Sequence, residues 1–337
     1  MSNVIGLNIM GDRGMSNDNV AAYHQRLQAH TSVIVNNNKL AAMLMAQGTV
    51  VIYRHKSDQP NGNDDDAHLR YSPVEFVNKR NLEAPPGAII SLTNEPGTGD
   101  ISQLNKWTLA AMQHCDTIGR KACILNFATG NPQPHHWEML RPALEYAVQN
   151  NHIIGHHDYF DITVDRSLKY HVGRCLPAVA KFGGKWAITE LGCAVGMHPE
   201  RGWTTVLSQE AYSLELFRAA QIYWLHDIPV CVYSYGPWHN FGIENAELLK
   251  SRLAEYNARM PISATANAIT SAWVYVRSKR SPVAASIKLL NPNTRITVNW
   301  VAENGDYYST GNTPRNDWYK VISPYDGYIA GAYIQRI

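Results

Sequence analysis

Residues 88–97, AIISLTNEPG, open on an apolar run and break off into polar residues that include Glu95. Residues 185–192, KWAITELG, do the same and carry Glu190. A short apolar run that ends so abruptly reads as a buried strand of a parallel sheet, which puts both glutamates at carboxyl ends of strands. In parallel α/β architectures chemistry is done at that end, because the loops there are free of the packing duties of the opposite face. Two glutamates so placed suggest paired-carboxylate catalysis.

Outward from these two stretches, apolar runs alternate with helical patterns along residues 1–260. The runs are 4–9, 32–35, 49–53, 88–92, 122–127, 152–159, 186–189 and 229–233. Helical patterns follow at 19–29, 39–46, 73–79, 104–118, 134–149, 167–181, 209–225 and 245–258. Strand and helix alternating eight times is the pattern of a (β/α)8 TIM barrel. Local signals agree: Ser72-Pro73-Val74-Glu75 offers an N-cap, a proline at the first helical position and a capping-box glutamate. Gly48 and Gly119 suit C′ positions after the second and fourth helices.

With the strands numbered in this way, Asn94-Glu95-Pro96 ends the fourth and Thr189-Glu190 ends the seventh. This resembles the large clan of retaining glycoside hydrolases built on TIM barrels, often called clan A. The resemblance implies that Glu95 is the acid/base and Glu190 the nucleophile, with Asn94 hydrogen-bonding the 2-hydroxyl of the sugar. The sixth run carries His156-His157-Asp158-Tyr159. Residues two apart on a strand share a face, so His157 and Tyr159 point together and His156 and Asp158 point the other way. By the same resemblance Tyr159 hydrogen-bonds the nucleophile, His157 lines the sugar site, and Trp238, beyond the eighth strand, is the aromatic floor beneath the cleaved sugar. Arg54 and His55 follow the third run at the catalytic end and are further substrate-binding candidates. A cation near Glu190 would hold that carboxylate ionised, although the commoner clan pattern has its arginine on the second strand, which here ends in Asn36-Asn37-Asn38.

Residues 194–208 are long for a βα connection and carry Arg201 and Trp203, so they are expected to form a mobile flap with sugar contacts. In a retaining enzyme the carboxyl groups stand roughly 5–5.5 Å apart, against about 6.5–9.5 Å in an inverting one. Glu95 is expected in a pocket poorer in cations than that of Glu190, and Tyr159 nearer to Glu190 than to Glu95.

After Arg259 the pattern changes. Residues 261–270 are small and polar and read as a linker, and residues 271–337 read as strand and turn only. This tail resembles the bacterial SH3-like domain through Val276-Arg277-Ser278, the 294–298 segment TRITV, the 317–321 segment DWYKV and the 326–329 segment DGYI. Asn293 stands where that family usually has glycine and Tyr328 where it usually has tryptophan. The expected architecture is therefore a TIM barrel over 1–260 followed by a small all-β SH3-like barrel over 271–337. Such modules commonly accompany cell-wall-acting enzymes, which implies a tether to a cell-wall ligand.

The expected partner is a polysaccharide or oligosaccharide, with peptidoglycan, another cell-surface glycan and a plant-type β-glucan all open. The rival from another class is a non-catalytic glycan-binding or structural protein on a degenerate barrel, attached to a wall or virion. A formal net charge of +2 over 337 residues gives no electrostatic case for nucleic acid. No run of about 18 apolar residues spans a membrane. The start, MSNVIGLNI, turns polar too quickly for a signal peptide, so cytoplasmic synthesis is expected, with export or phage-associated release open. Cys115, Cys123, Cys175, Cys193 and Cys231 lack Cys-x-x-Cys spacing and read as buried free thiols. The run Asp64-Asp65-Asp66 lacks the spacing and glycine of a calcium loop and reads as a solvated turn, and neither a metal nor a cofactor is expected.

Overall fold

The structure, a computed structural model, describes residues 5–11, 14–55, 65–162, 172–197, 201–224, 226–236, 240–259, 265–270, 274–282, 284–292, 294–299, 303–310, 313–323, 327–330 and 334–336. It divides into two compact units, Met1–Met260 and Pro261–Ile337.

In the first unit, strands β1 (Ile5–Met10), β2 (Thr31–Val35), β3 (Val50–Arg54), β4 (Ile89–Ser91), β5 (Ala122–Phe127), β6 (Ile153–Phe160), β7 (Lys185–Cys193) and β8 (Val230–Tyr235) close into a parallel barrel in sequence order. Around it run α1 (Asn17–Leu27), α2 (Asn38–Ala46), α3 (Ala67–Arg70), α4 (Pro73–Glu83), α5 (Ile101–Thr117), α6 (His136–Met139), α7 (Arg141–Gln149), α8 (Leu176–Phe182), α9 (Gln209–Trp224) and α10 (Glu247–Arg259). The eightfold alternation read from the sequence is this barrel. The Ser72 hydroxyl caps α4 by accepting from Glu75 N–H at 3.2 Å, with Pro73 in the first turn. Gly48, at φ +85°, closes α2 where a side chain would be strained. The single helix expected over 134–149 is two, α6 and α7, meeting at Leu140.

The inward side chains are layered. Val33, Ile52, Cys123, Ile153, Ala187 and Cys231 make an apolar interior. Next to it sit Asn8, Ser91, Asn126 and Thr189, all 6 % exposed or less. Outward-facing residues such as Leu7, Ile90, Ile124 and Ile188 pack under the helices in the larger core. All five cysteines are buried and free. Among the described residues no helix is long and apolar enough to cross a membrane.

One buried histidine ties this core to pH. His24 on α1 is 2 % exposed, and its Nε2 lies 2.9 Å from the Ser32 hydroxyl, which itself accepts from Leu7 N–H. Burial, helped by the charge of His30, pulls its pKa from 6.5 down to about 4. The unfolded chain then takes up the proton first as pH falls. The contribution of neutral His24 is complete above pH 6.5 and is lost between 6.5 and about 4, a span worth roughly 3 kcal/mol. Urea midpoints measured from pH 7 to pH 4.5 should fall steeply in the native chain and less steeply in His24→Gln.

The second unit is an antiparallel sheet. Its strands are β9 (Thr265–Thr270), β10 (Val274–Arg277), β11 (Ser286–Leu290), β12 (Arg295–Asn299), β13 (Glu303–Thr310), β14 (Thr313–Ser323), β15 (Gly327–Ala330) and β16 (Ile334–Arg336), in the order β11-β10-β15-β14-β12-β9-β16 with β13 on β14. Val274, Val276, Leu290, Ile296, Val298, Val321 and Ile329 form its core. The linker expected over 261–270 needs correction, because β9 occupies 265–270 and pairs with β12 and β16. Its small residues carry no hydrophobic periodicity, so only the partners on either side reveal the strand.

Candidate active site

At the carboxyl end of β7, register with β6 sets His157 beside Glu190, with an irregularity between His156 and His157. Both oxygens of Glu190 are engaged. Arg54 Nη1, from the end of β3, donates to Oε1 at 2.5 Å, and the Tyr159 hydroxyl, from β6, donates to Oε2 at 2.6 Å. Arg54 Nη1 also donates to Asn94 Oδ1 at 2.7 Å, which ties the residue before Glu95 to the same guanidinium. Burial pulls the Arg54 pKa down, but the charges of Glu190 and Tyr233 and the hydrogen bond to Glu190 outweigh it, so the guanidinium stays charged. Burial first, then the charge of Glu190, hold the Tyr159 hydroxyl well above its usual pKa, so it remains a donor. Its ring packs edge-on against Tyr233 and Phe241, with centroids 5.8 and 5.9 Å away.

Glu95 lies across from this cluster, beyond β4. His157 Nδ1 is 3.0 Å from Glu95 Oε1 and 3.5 Å from Glu190 Oε2, so one ring nitrogen faces both carboxylates. One oxygen of each glutamate and one nitrogen of His157 all lie within 4.8 Å of one another. Tyr159, as expected, bonds Glu190. The environment of Glu95 differs from expectation. Burial pushes its carboxyl up, but the hydrogen bond and charge of His157 and the charge of Arg54 more than offset this, leaving the pKa below the usual range. The cause is His157, which strand parity turns inward toward Glu95.

Two other candidates stand elsewhere. His55 belongs to a different cluster: its Nδ1 lies 2.7 Å from Arg80 Nη1 and 3.4 Å from Glu83, both on α4. It follows Arg54 directly, and neighbouring strand residues face opposite sides. Trp203 is 5 % exposed, stacks on Tyr212 at 4.8 Å and 7°, and donates Nε1–H to Phe241 O at 3.1 Å. It is a packing residue beneath its loop rather than a sugar contact on a flap. Trp238 lies outside the described residues. On the far face of β6, His156 and Asp158 are fully buried and 3.3 Å apart, facing outward as their parity requires.

The sequence reading missed Asn126, whose carbonyl accepts Glu95 N–H at 2.9 Å and whose side chain accepts from the Thr189 hydroxyl at 2.8 Å. A lone asparagine at the end of an apolar run carries no signal of this. In the acidic run, Asp66 pairs with Arg70 at 2.6 Å. Glu95, His157 and Glu190 are also, among the described residues, the set able to converge on a metal ion. A cation there would compete with Arg54 and Tyr159, which already hold Glu190.

Arg54→Met is expected to leave Glu190 buried without its cation, at a cost on the order of 3–5 kcal/mol in stability. Arg54→Lys keeps the charge but loses the fork that reaches Asn94, and should fall between the two. Thermal melts of the three proteins check the order.

No protein-family model matches the chain. No curated protein matches it either. Solved structures do. A GH5-4 broad specificity endoglucanase from Clostridum cellulovorans superposes with a TM-score of 0.51 at 10% identity, over 76% of this chain and 93% of its own. A beta-glucuronidase from Bifidobacterium dentium, complexed with coumarin-3-O-glucuronide, does so with a TM-score of 0.51 at 14% identity, over 77% of this chain and 47% of its own. At these identities the likeness concerns the fold: this chain is built on a barrel that glycoside hydrolases also use.

Proposed function

We propose that this protein is a retaining glycoside hydrolase that cleaves β-linked glycans with Glu190 as nucleophile and Glu95 as acid/base. The observation that carries this reading is the placing of two glutamates with oxygens within 4.8 Å at the mouth of a parallel barrel, one on Arg54 and Tyr159, the other on His157. So short a gap leaves no room for a water between carboxylate and sugar, as direct attack requires.

In the first step Glu95 gives its proton to the departing oxygen while an oxygen of Glu190 bonds to the anomeric carbon and the glycosidic bond breaks. In the second, water loses a proton to Glu95, its oxygen bonds to the same carbon, and Glu190 leaves. Arg54 and Tyr159 hydrogen-bond the two oxygens of Glu190 and fix the carboxylate for attack and release. Glu95, whose Oε1 lies 3.0 Å from His157 Nδ1, serves the acid step as the carboxyl and the base step as the carboxylate. Asn94, fixed by Arg54, presents its amide to the sugar. The second unit is an SH3-like tether, supported by its antiparallel sheet and buried Val274, Val276 and Ile329.

A non-catalytic glycan-binding barrel is the second reading, favoured by one observation: the pKa of Glu95 lies low, where an acid needs its proton. Turnover on aryl β-glycosides, β-glucans, xylan and peptidoglycan tests the first reading, with the anomer released followed by NMR. Hydrolysis with retention is expected. Sugar binding without hydrolysis across the panel would select the second. The insoluble polymers, offered also to a chain ending at Met260, test the tether through loss of retention.

A further inference from the structure

We infer that Asn126, through a bulge in β5, is a positioning residue that sets Glu95 relative to Glu190; this rests on the glycosidase reading above. Alternation along β5 puts Cys123 inside the barrel and Ile124 outside, which would send Leu125 in and Asn126 out. The reverse is found. Leu125 packs in the outer core, and Asn126, 2 % exposed, bonds residues of the interior. The pairing with β6 skips one residue there, from Leu125 opposite Gly155 to Phe127 opposite His156. Leu125 and Asn126 take φ of 72° and 45°, the left-handed region that asparagine tolerates far better than most side chains. An extra residue so placed turns every later side chain of the strand to the other face.

The turned side chain joins both carboxylate-bearing strands. Asn126 Nδ2 donates to Thr93 O at 2.8 Å and to the Ser91 hydroxyl at 3.2 Å, and Oδ1 accepts from the hydroxyl of Thr189, the neighbour of Glu190, at 2.8 Å. The bulge also turns two carbonyls to the chain leading into Glu95. Leu125 O accepts from the Thr93 hydroxyl at 3.0 Å, and Asn126 O accepts Glu95 N–H at 2.9 Å. Glu95 itself stands at φ 52°, so this carbonyl holds it in a conformation it seldom adopts alone. Gly155 makes the room: a Cβ there would meet Asn126 Oδ1 at 1.9 Å.

The test compares kcat/KM, which reports glycosylation, for two leaving groups. A sugar leaving group needs the proton of Glu95, whereas 2,4-dinitrophenolate departs without it. Asn126→Ala should lose about 10²-fold on the first, as for a displacement of roughly 1 Å, and clearly less on the second, with the fold intact by circular dichroism. Asn126→Gly keeps the left-handed backbone and its carbonyl, so it should recover part of the loss, and it carries the comparison should Asn126→Ala not fold. Equal losses on both leaving groups, or none, would overturn the inference. If the native chain hydrolyses nothing, the glycosidase reading fails by itself. Crystal structures of the native protein and Asn126→Ala then decide: an unmoved Glu95 with its N–H still on carbonyl 126 overturns the positioning role, and a displaced one upholds it.

Discussion

Glu190→Ala is expected to lower turnover by at least about 10⁴-fold, because the residue that forms the covalent bond has no substitute in the site. Folding should survive, since the change removes a charge that is 6 % exposed and leaves Arg54 with Asn94 and with water in the space vacated. The loss should be as large for 2,4-dinitrophenyl glycosides as for sugar leaving groups, because a missing nucleophile is felt whatever departs. Added azide should restore hydrolysis of the activated substrate by entering the vacated space, and the product should be the glycosyl azide of inverted configuration. Full activity of Glu190→Ala would end the double-displacement reading, and hydrolysis without azide would return the site to an inverting geometry.

Glu95→Gln is expected to cost about 10²–10⁴-fold, with the size set by the leaving group. A sugar leaving group should show the upper figure, and an activated phenol should react through the first step at near-native rate and stall as the glycosyl-enzyme, because no base remains to deprotonate water. A burst followed by slow steady state would be the sign. The pH profile carries a second check. Burial raises the Glu95 carboxyl, but His157 and Arg54 outweigh it, so its ionised form persists to lower pH than for an ordinary glutamate. The acid step requires a proton on Glu95, whose Oε1 stands 3.0 Å from His157 Nδ1. His157→Gln removes one charge that favours the carboxylate, so the basic limb of kcat/KM should move to higher pH. An unmoved limb would assign that proton to another group.

The two candidates that moved out of the site show where linear reading ends. Trp203 stacks on Tyr212 rather than facing a sugar, yet an indole in a long loop looks the same in sequence whichever flat surface it meets. His55 follows Arg54 on the chain but bonds Arg80 and Glu83, because adjacent residues at a strand end diverge. The strand at 265–270 was hidden for a similar reason: residues as small as alanine and threonine give no alternation until their partners are known.

The chain by itself determined the barrel, since apolar runs and helical periods recur eight times and both patterns are local consequences of backbone geometry. It also determined that His157 and Tyr159 share a face, that Glu95 follows the fourth strand and that Glu190 belongs to the seventh. Only the tertiary structure decided which inward groups meet. Arg54 of β3 and Tyr159 of β6 close on the two oxygens of Glu190 because the sheet curls into a ring. Asn126 enters the interior because a bulge reverses the alternation of β5. Closure and bulge depend on hydrogen bonds between segments far apart in sequence, and a two-residue period carries no record of them.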